Sequence, residues 1–211
     1  MTSISALLLA AGESRRMGGL NKLLLPVAGK PLLRRTLDTL AAANPTEIVV
    51  VLGHQCEQVS ALLKDVGVRV AINSRYREGQ MTSVEAGLAA LSLPCEGVMV
   101  CLGDQPMLTV DDLKHLMAAF TAHEDRSIVV PTYQGQRGNP VIFSYRHRES
   151  VLGGRNLGCR HLIERCPDQV VTVEMNDDHV VVDVDTQEDY QRIIERLLQQ
   201  ERRGVLVSKA G

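Results

Sequence analysis

The chain reads as an α/β protein: a Rossmann-like three-layer sandwich with a mostly parallel central sheet and one antiparallel excursion. Short leucine-rich or β-branched runs at residues 6–9, 47–53 and 97–102 are apolar without alternation, as strands buried on both faces of a parallel sheet must be. Segments between and after them place apolar residues three and four apart, the helical period. Strand and helix alternate through the first half of the chain. That order marks an open doubly wound sheet, whose ligands sit at the carboxyl ends of the strands.

The first strand, at residues 6–9, empties at Ala10-Ala11-Gly12 into a loop that gathers Ser14, Arg15, Arg16, Gly18, Gly19 and Lys22. Small residues let backbone N–H groups approach an anion, and three cations add the charge that a triphosphate needs. A surface turn with a solvated arginine pair is the plainer alternative. Five residues separate Gly12 from Gly18 and no Gly-Lys-Ser/Thr follows, so this is not a P-loop, and no G-x-G-x-x-G is present after the strand. Pro31 suits the first turn of a helix in which Leu32, Leu33, Thr36, Leu37, Leu40 and Ala41 share a face. EIVVVLG at residues 47–53 is the second strand, residues 54–64 read as helix, and residues 68–73 as a third strand. NSRYREGQMTSVEAGL then leaves that strand through polar residues and Gly79 and becomes a helix with Ser83 near its start. Ser83 there either caps the helix or touches a nucleotide base or ribose.

Residues 97–102 form a strand that ends in Gly103-Asp104-Gln105-Pro106. Asp104 is a turn former, or, beside a cationic loop, a hard carboxylate placed to hold Mg²⁺. Residues 110–123 read as a helix favoured by Asp111 and Asp112 in its first turn, and residues 127–131 as a short strand. Gly135, Gly138 and Pro140 punctuate residues 133–143, which predicts a hairpin or bulged excursion of the kind that forms the acceptor side of a site. A helix is expected over 157–165, with Arg155 and Arg160 as anion contacts or solvated surface. Strands are expected over 169–175 and 179–184, followed by a final helix over 187–200. Asp185 or Thr186 with Glu188 forms an N-cap signal for that helix; alternatively Asp183 or Asp185 reaches Asp104 and completes a metal site. The expected organisation is one domain over residues 1–200 and a flexible tail over 201–211.

Composition removes several function classes. Lys+Arg 23 against Asp+Glu 25, no Trp and 3% aromatics argue against a nucleic-acid binder, and leave the cationic loop as a local site for a small anion. Five scattered cysteines without C-x-x-C argue against a disulfide framework and a zinc site, and favour a reducing compartment. The apolar N-terminal run is short and follows no positive charge, and no run reaches the roughly 20 apolar residues of a membrane helix, so a cytoplasmic location is expected. No histidine pair has H-x-x-x-H spacing and no G-x-S-x-G occurs, which weakens hydrolase chemistry.

The run LLLAAGESRRMGGLNKLLLPVAGKPLL resembles the signature of the nucleotidyltransferases that share the nucleotide-diphospho-sugar transferase fold. With LGDQPML, NSRYREGQMTSVEAGL, GQRGNPVIF and DVDTQEDY it is similar to the molybdenum cofactor cytidylyltransferase branch of the MobA-like family, over nearly the whole chain. The resemblance implies that backbone at Leu9, Ala10, Ala11 and Gly12 meets the base, and that Ser14, Arg15, Arg16 and Lys22 meet the phosphates. It implies further nucleotide contacts at Gly79 and Ser83, Mg²⁺ on Asp104 with Asp185 as second ligand and Asp183 as substitute, and an acceptor side at Gly138 and Asn139. Arg16, Lys22 and Asp104 would carry catalysis. The implied reaction joins CMP from CTP to the terminal phosphate of molybdenum-molybdopterin, with Mg²⁺ as cofactor and a molybdenum hydroxylase as the recipient of the product. A GTP-dependent relative, another phosphorylated acceptor and a non-catalytic cofactor carrier are the alternatives.

Overall fold

The computed structural model describes residues 2–123, 127–152 and 158–208. The expected central run is β1 (Ile4–Ala10), and it ends in a loop with two short 3-10 turns, Arg15–Met17 and Lys22–Leu24. A two-stranded ribbon, β2 (Pro26–Val27) and β3 (Lys30–Pro31), leads into α1 (Leu32–Ala42), with Pro31 at its N-cap. Then follow β4 (Ile48–Leu52), a helix broken into α2 (Cys56–Ser60) and the 3-10 turn Ala61–Leu63, and β5 (Arg69–Ile72). Next come α3 (Gln80–Ala90), β6 (Gly97–Leu102), α4 (Val110–Ala122) and β7 (Ile128–Tyr133). The excursion is β8 (Gln136–Arg137) and β9 (Val141–Ser144), after which α5 (Arg148–Leu152), α6 (Gly158–Arg165), β10 (Val170–Glu174) and α7 (Gln187–Ser208) complete the chain.

The main sheet has the order β10-β7-β9-β6-β1-β4-β5, with β8 paired to β7. β1 lies between β6 and β4, parallel to both, with Leu9 opposite Leu102 and Val51. β9 is inserted between β6 and β7 and runs antiparallel to each. The expected hairpin excursion is therefore built into the sheet itself.

Side-chain alternation along β1 sorts its residues to the two faces. Ile4, Ala6, Leu8 and Ala10 join the cluster that holds Leu33 and Leu37 of α1, Leu116 of α4 and Ile193 of α7. Leu7 and Leu9 join the cluster that holds Met81, Val84 and Leu88 of α3 and Leu162 of α6. Both faces are thus covered by helices, which explains the unbroken apolar run.

Two expectations need correction or extension. Residues 179–184 are not a strand: Asp178–Val181 is a 3-10 turn, followed by extended chain. Its valines read as β because they are β-branched, yet this segment crosses the end of the sheet and makes single bonds instead of a ladder. Val180 O accepts from Asn139 N at 2.8 Å, and Val184 N donates to Asp104 O at 3.0 Å. The last helix continues beyond residue 200 to Ser208. Arg155 and the first expected residue of its helix, Leu157, lie outside the described residues. Among the described residues, no helix is long and apolar enough to cross a membrane.

Candidate active site

A cavity of about 420 Å³ opens at the carboxyl ends of β1 and β6. Of the residues expected to contact nucleotide, Leu9, Ala10, Ala11, Gly12, Ser14, Arg15, Arg16, Lys22, Ser83 and Asp104 line it, and so does Asp185. Gly79 does not line it. It sits one residue before the lining residue Gln80, at φ 120°, a backbone conformation that favours glycine, and so sets the entry into α3.

The loop is held by its own polar groups. Ser14 adopts a left-handed conformation, φ 52°, and its Oγ accepts from the backbone N of Lys22 at 3.2 Å. Asn21 caps the 3-10 turn by accepting from Leu23 N at 3.1 Å, and donates through Nδ2 to Gln55 Oε1 at 3.1 Å. Met17, fully buried, anchors the loop in the core. Arg15 turns to Glu13 at 2.5 Å, and Arg77 approaches the same carboxylate at 3.4 Å. Glu13, Tyr76 and Gln80 also line the cavity, and the sequence carries no signal that singles them out.

At the cavity's charged end, Lys22 Nζ donates to Asp104 Oδ2 at 2.5 Å and to Asp185 Oδ1 at 3.0 Å, while Arg16 Nη2 donates to Asp185 Oδ2 at 2.5 Å. Lys22 is only 9% exposed. Burial opposes its charge, but Asp104 and Asp185 outweigh burial and hold its pKa above the ordinary lysine value. The Asp183 carboxyl pKa is also raised, by burial first and then by the charges of Asp104 and Asp185, which disfavours its ionised form where the ionised form of Lys22 is favoured. Between the two alternatives at the D-x-D segment, the geometry therefore brings Asp185 to Lys22 and Arg16. The helix cap falls to the next residue, since Thr186 Oγ1 accepts from Asp189 N at 3.1 Å and donates to Asp189 Oδ2 at 2.8 Å. Capping is reciprocal, and the partner is Asp189, not the Glu188 of the expected signal.

A divalent cation fits this donor set. Asp104 Oδ1 is buried without a hydrogen-bond partner, and Asp185 presents a second carboxylate across the shared ammonium. Among the described residues no three His, Cys, Asp or Glu side chains converge to form a cage. Two carboxylate ligands with the other positions left to water and phosphate oxygens is the arrangement Mg²⁺ favours.

Ser83 does not cap α3, whose N-cap is Gly79. Its Oγ accepts from Asn73 Nδ2 at 3.0 Å, and the same amide donates to Thr82 Oγ1 at 2.8 Å. A second cavity of about 340 Å³ adjoins the first through Gln80 and is lined by Arg137, Gly138, Asn139 and Arg160 over a floor that includes Val100 and Val130. Both expected acceptor-side residues lie there. Gly138 packs so closely that a Cβ would stand 2.4 Å from Val180 O.

Known proteins resemble the chain over most of its length. It is 28% identical to the nicotine blue oxidoreductase of Paenarthrobacter nicotinovorans, across 90% of this chain and 96% of that one. The bifunctional protein GlmU of Burkholderia mallei is 38% identical over 121 residues, which are 56% of this chain and 26% of GlmU. Among solved structures, Rv0371c of Mycobacterium tuberculosis superposes with TM-score 0.81 at 28% identity, covering 92% of this chain and 98% of Rv0371c. A second structure of Rv0371c is a complex with manganese, with TM-score 0.73 and 25% identity, covering 92% of this chain and 99% of the other. The sheet with its antiparallel insertion is the nucleotide-diphospho-sugar transferase fold, and the chain is an enzyme of nucleotidyltransferase type. Residues 6–170 match the MobA-like NTP transferase domain, and the chain belongs to that family.

Proposed function

We propose that the chain transfers CMP from CTP to the terminal phosphate of molybdenum-molybdopterin, with Mg²⁺, releasing pyrophosphate. The observation that carries the transferase part is the meeting of Lys22, Arg16, Asp104 and Asp185 beside the glycine-bearing loop at the ends of β1 and β6. The cytidyl and molybdopterin parts are supported by the GDQP, GNP and D-x-D-T motifs.

An acceptor phosphate oxygen attacks the α-phosphorus in line; the new P–O bond forms as the α–β bridge breaks, and pyrophosphate departs with the electron pair. A phosphate monoester has a second pKa of about 6, so the nucleophile is ionised near neutrality and no general base is needed. Among the described residues that line the cavity, none is a histidine. Backbone at residues 9–12 holds the base, and Ser83 faces the nucleoside. Lys22 and Arg16 neutralise the phosphate charge. Asp104 and Asp185 would hold Mg²⁺, which supplies further charge neutralisation on the phosphates. The second cavity, with Arg137 and Asn139 at its polar end, takes the acceptor.

Pyrophosphate release from CTP, GTP, ATP and UTP, with Mg²⁺ and molybdenum-loaded molybdopterin, tests the proposal. Preference for CTP is expected; preference for another base would replace the cytidyl assignment and leave the transferase site. In the same assay Lys22→Ala and Asp104→Ala should each lose about 100-fold or more in turnover while retaining the native far-UV circular dichroism. Near-normal turnover by either would remove the assigned roles. The competing outcome is redox chemistry, the activity named for the 28% identical relative. Electron transfer from an added reductant to an added electron-accepting dye, with no pyrophosphate release from any triphosphate, would favour it.

A further inference from the structure

Lys22 is expected at the phosphates, yet its ammonium is turned to carboxylates. Nζ lies 2.5 Å from Asp104 Oδ2 and 3.0 Å from Asp185 Oδ1, so one cation spans the two groups that fit a metal. We propose that Lys22 is the built-in counter-cation of this carboxylate pair and excludes a divalent cation from the nucleotide-free protein. The proposal rests on Asp104 and Asp185 as the metal carboxylates.

Several features support competition for one place. The exchange is confined to the side chain, because the Lys22 backbone N donates to Ser14 Oγ and the adjoining turn is capped by Asn21. Arg16 already holds the outer oxygen of Asp185, at 2.5 Å, so that carboxylate has both oxygens engaged. Asp104 keeps its Oδ1 buried and unpartnered. A cation arriving alone would bind that oxygen only with Lys22 beside it, and two cations on one carboxylate whose side chain is only 16% exposed repel where water screens little. An incoming triphosphate changes the balance, since its oxygens give the ammonium another anionic partner. Metal and nucleotide would then favour each other's binding, a coupling that must be reciprocal.

The test uses Mn²⁺ alone, without nucleotide, followed by the electron paramagnetic resonance of the free ion. Wild type, Lys22→Met, Arg15→Met and Asp104→Asn are titrated after circular dichroism has confirmed folding. Lys22→Met should bind one Mn²⁺ about tenfold or more tightly than wild type, within the usual range of coupling energies. Arg15→Met removes a cation of the same loop that pairs with Glu13 and not with the carboxylate pair, and should stay within about twofold of wild type. Equal affinity in Lys22→Met and wild type overturns the proposal, as does an equal rise in Arg15→Met, which would reveal only a general charge effect. Should the lysine variant fail to fold, wild type alone decides: a tight nucleotide-free Mn²⁺ site that Asp104→Asn abolishes also overturns the proposal, and weak binding that Asp104→Asn leaves unchanged supports it. None of these arms measures turnover, so failure here is distinct from failure of the transferase assignment.

Discussion

His179 Nδ1 lies 2.9 Å from Asp112 Oδ2, joining the turn that precedes the D-x-D segment to the first turn of α4. The bond to Asp112 holds the imidazole pKa above its ordinary value of 6.5, and Asp177 adds to this while burial and Arg196 oppose it. Burial works to raise the Asp112 pKa, but His179 and Thr109 outweigh it and keep the carboxyl below 3.8. A raised histidine stabilises fully below its unfolded value and loses that contribution as pH rises through the folded value; a depressed carboxyl stabilises above its unfolded value and loses it as pH falls. The pair therefore contributes most between 3.8 and 6.5. His179→Gln should lower Tm near pH 5 by about 3 °C, for about 1 kcal/mol, with the difference shrinking by pH 8. Thermal melts across that range check it, and a difference independent of pH would show that packing, not charge, is what the histidine supplies. At this scale Lys22 and Asp104 are readable in the sequence through the motifs that carry the family resemblance, because a basic loop after a strand or an Asp after Gly103 taken alone is equally well a surface turn. Glu13, Tyr76 and Gln80 are not, since a carboxylate between cations or a polar residue after a glycine is equally common on plain surface. The choice between Asp183 and Asp185 needs the Thr186–Asp189 cap, which fixes the helix start and turns Asp185 toward Lys22.

Most strands and helices of the first half are legible in their patterning, because a strand buried on both faces is apolar throughout and a helix with one face on a sheet repeats apolar residues three and four apart. The stretch at residues 179–184 imitates a strand for the same reason: burial of β-branched residues looks alike whether the chain forms a ladder or crosses the ends of other strands. Its place is set by distant partners. Gln105 Nε2 donates to Val180 O at 3.0 Å and Asn139 N to the same oxygen at 2.8 Å, contacts that local sequence does not encode. Gly135, Gly138 and Pro140 announce the excursion, but not the insertion of β9 between β6 and β7, which is a matter of pairing. Gly138 is where the excursion meets that crossing segment. An added Cβ would meet backbone at 2.4 Å, and backbone cannot rotate away as a side chain can. Gly138→Ala should therefore cost about 1–3 kcal/mol in urea unfolding. It should also raise KM for the acceptor more than KM for CTP, since Gly138 lines the second cavity and not the first. An equal rise in both constants would place the acceptor elsewhere.

For the molecule as a whole, the sheet divides the core into two clusters that share strands but few side chains, and β1 supplies both. Leu7 packs with α3 and α6 on one face, Leu8 with α1, α4 and α7 on the other, and each is fully buried. Truncating either should leave a cavity and cost about 2–5 kcal/mol. We expect the costs to appear as a shift in one transition, because a central strand cannot leave one face without exposing the other. The candidate site depends on this unity: the loop after β1 brings Lys22, the end of β6 brings Asp104, and the segment before α7 brings Asp185. Leu23, Met107 and Val184, close in sequence to those three, all belong to the cluster on the α1 face, so loss of that cluster is expected to separate them. In urea, far-UV circular dichroism and the near-UV signal of the four tyrosines should fall together for wild type, Leu7→Ala and Leu8→Ala, with lowered midpoints and an unchanged slope. A two-step transition in either variant would mean that the helices on one face unfold apart from the other, and that the two halves of the site are held by separable units.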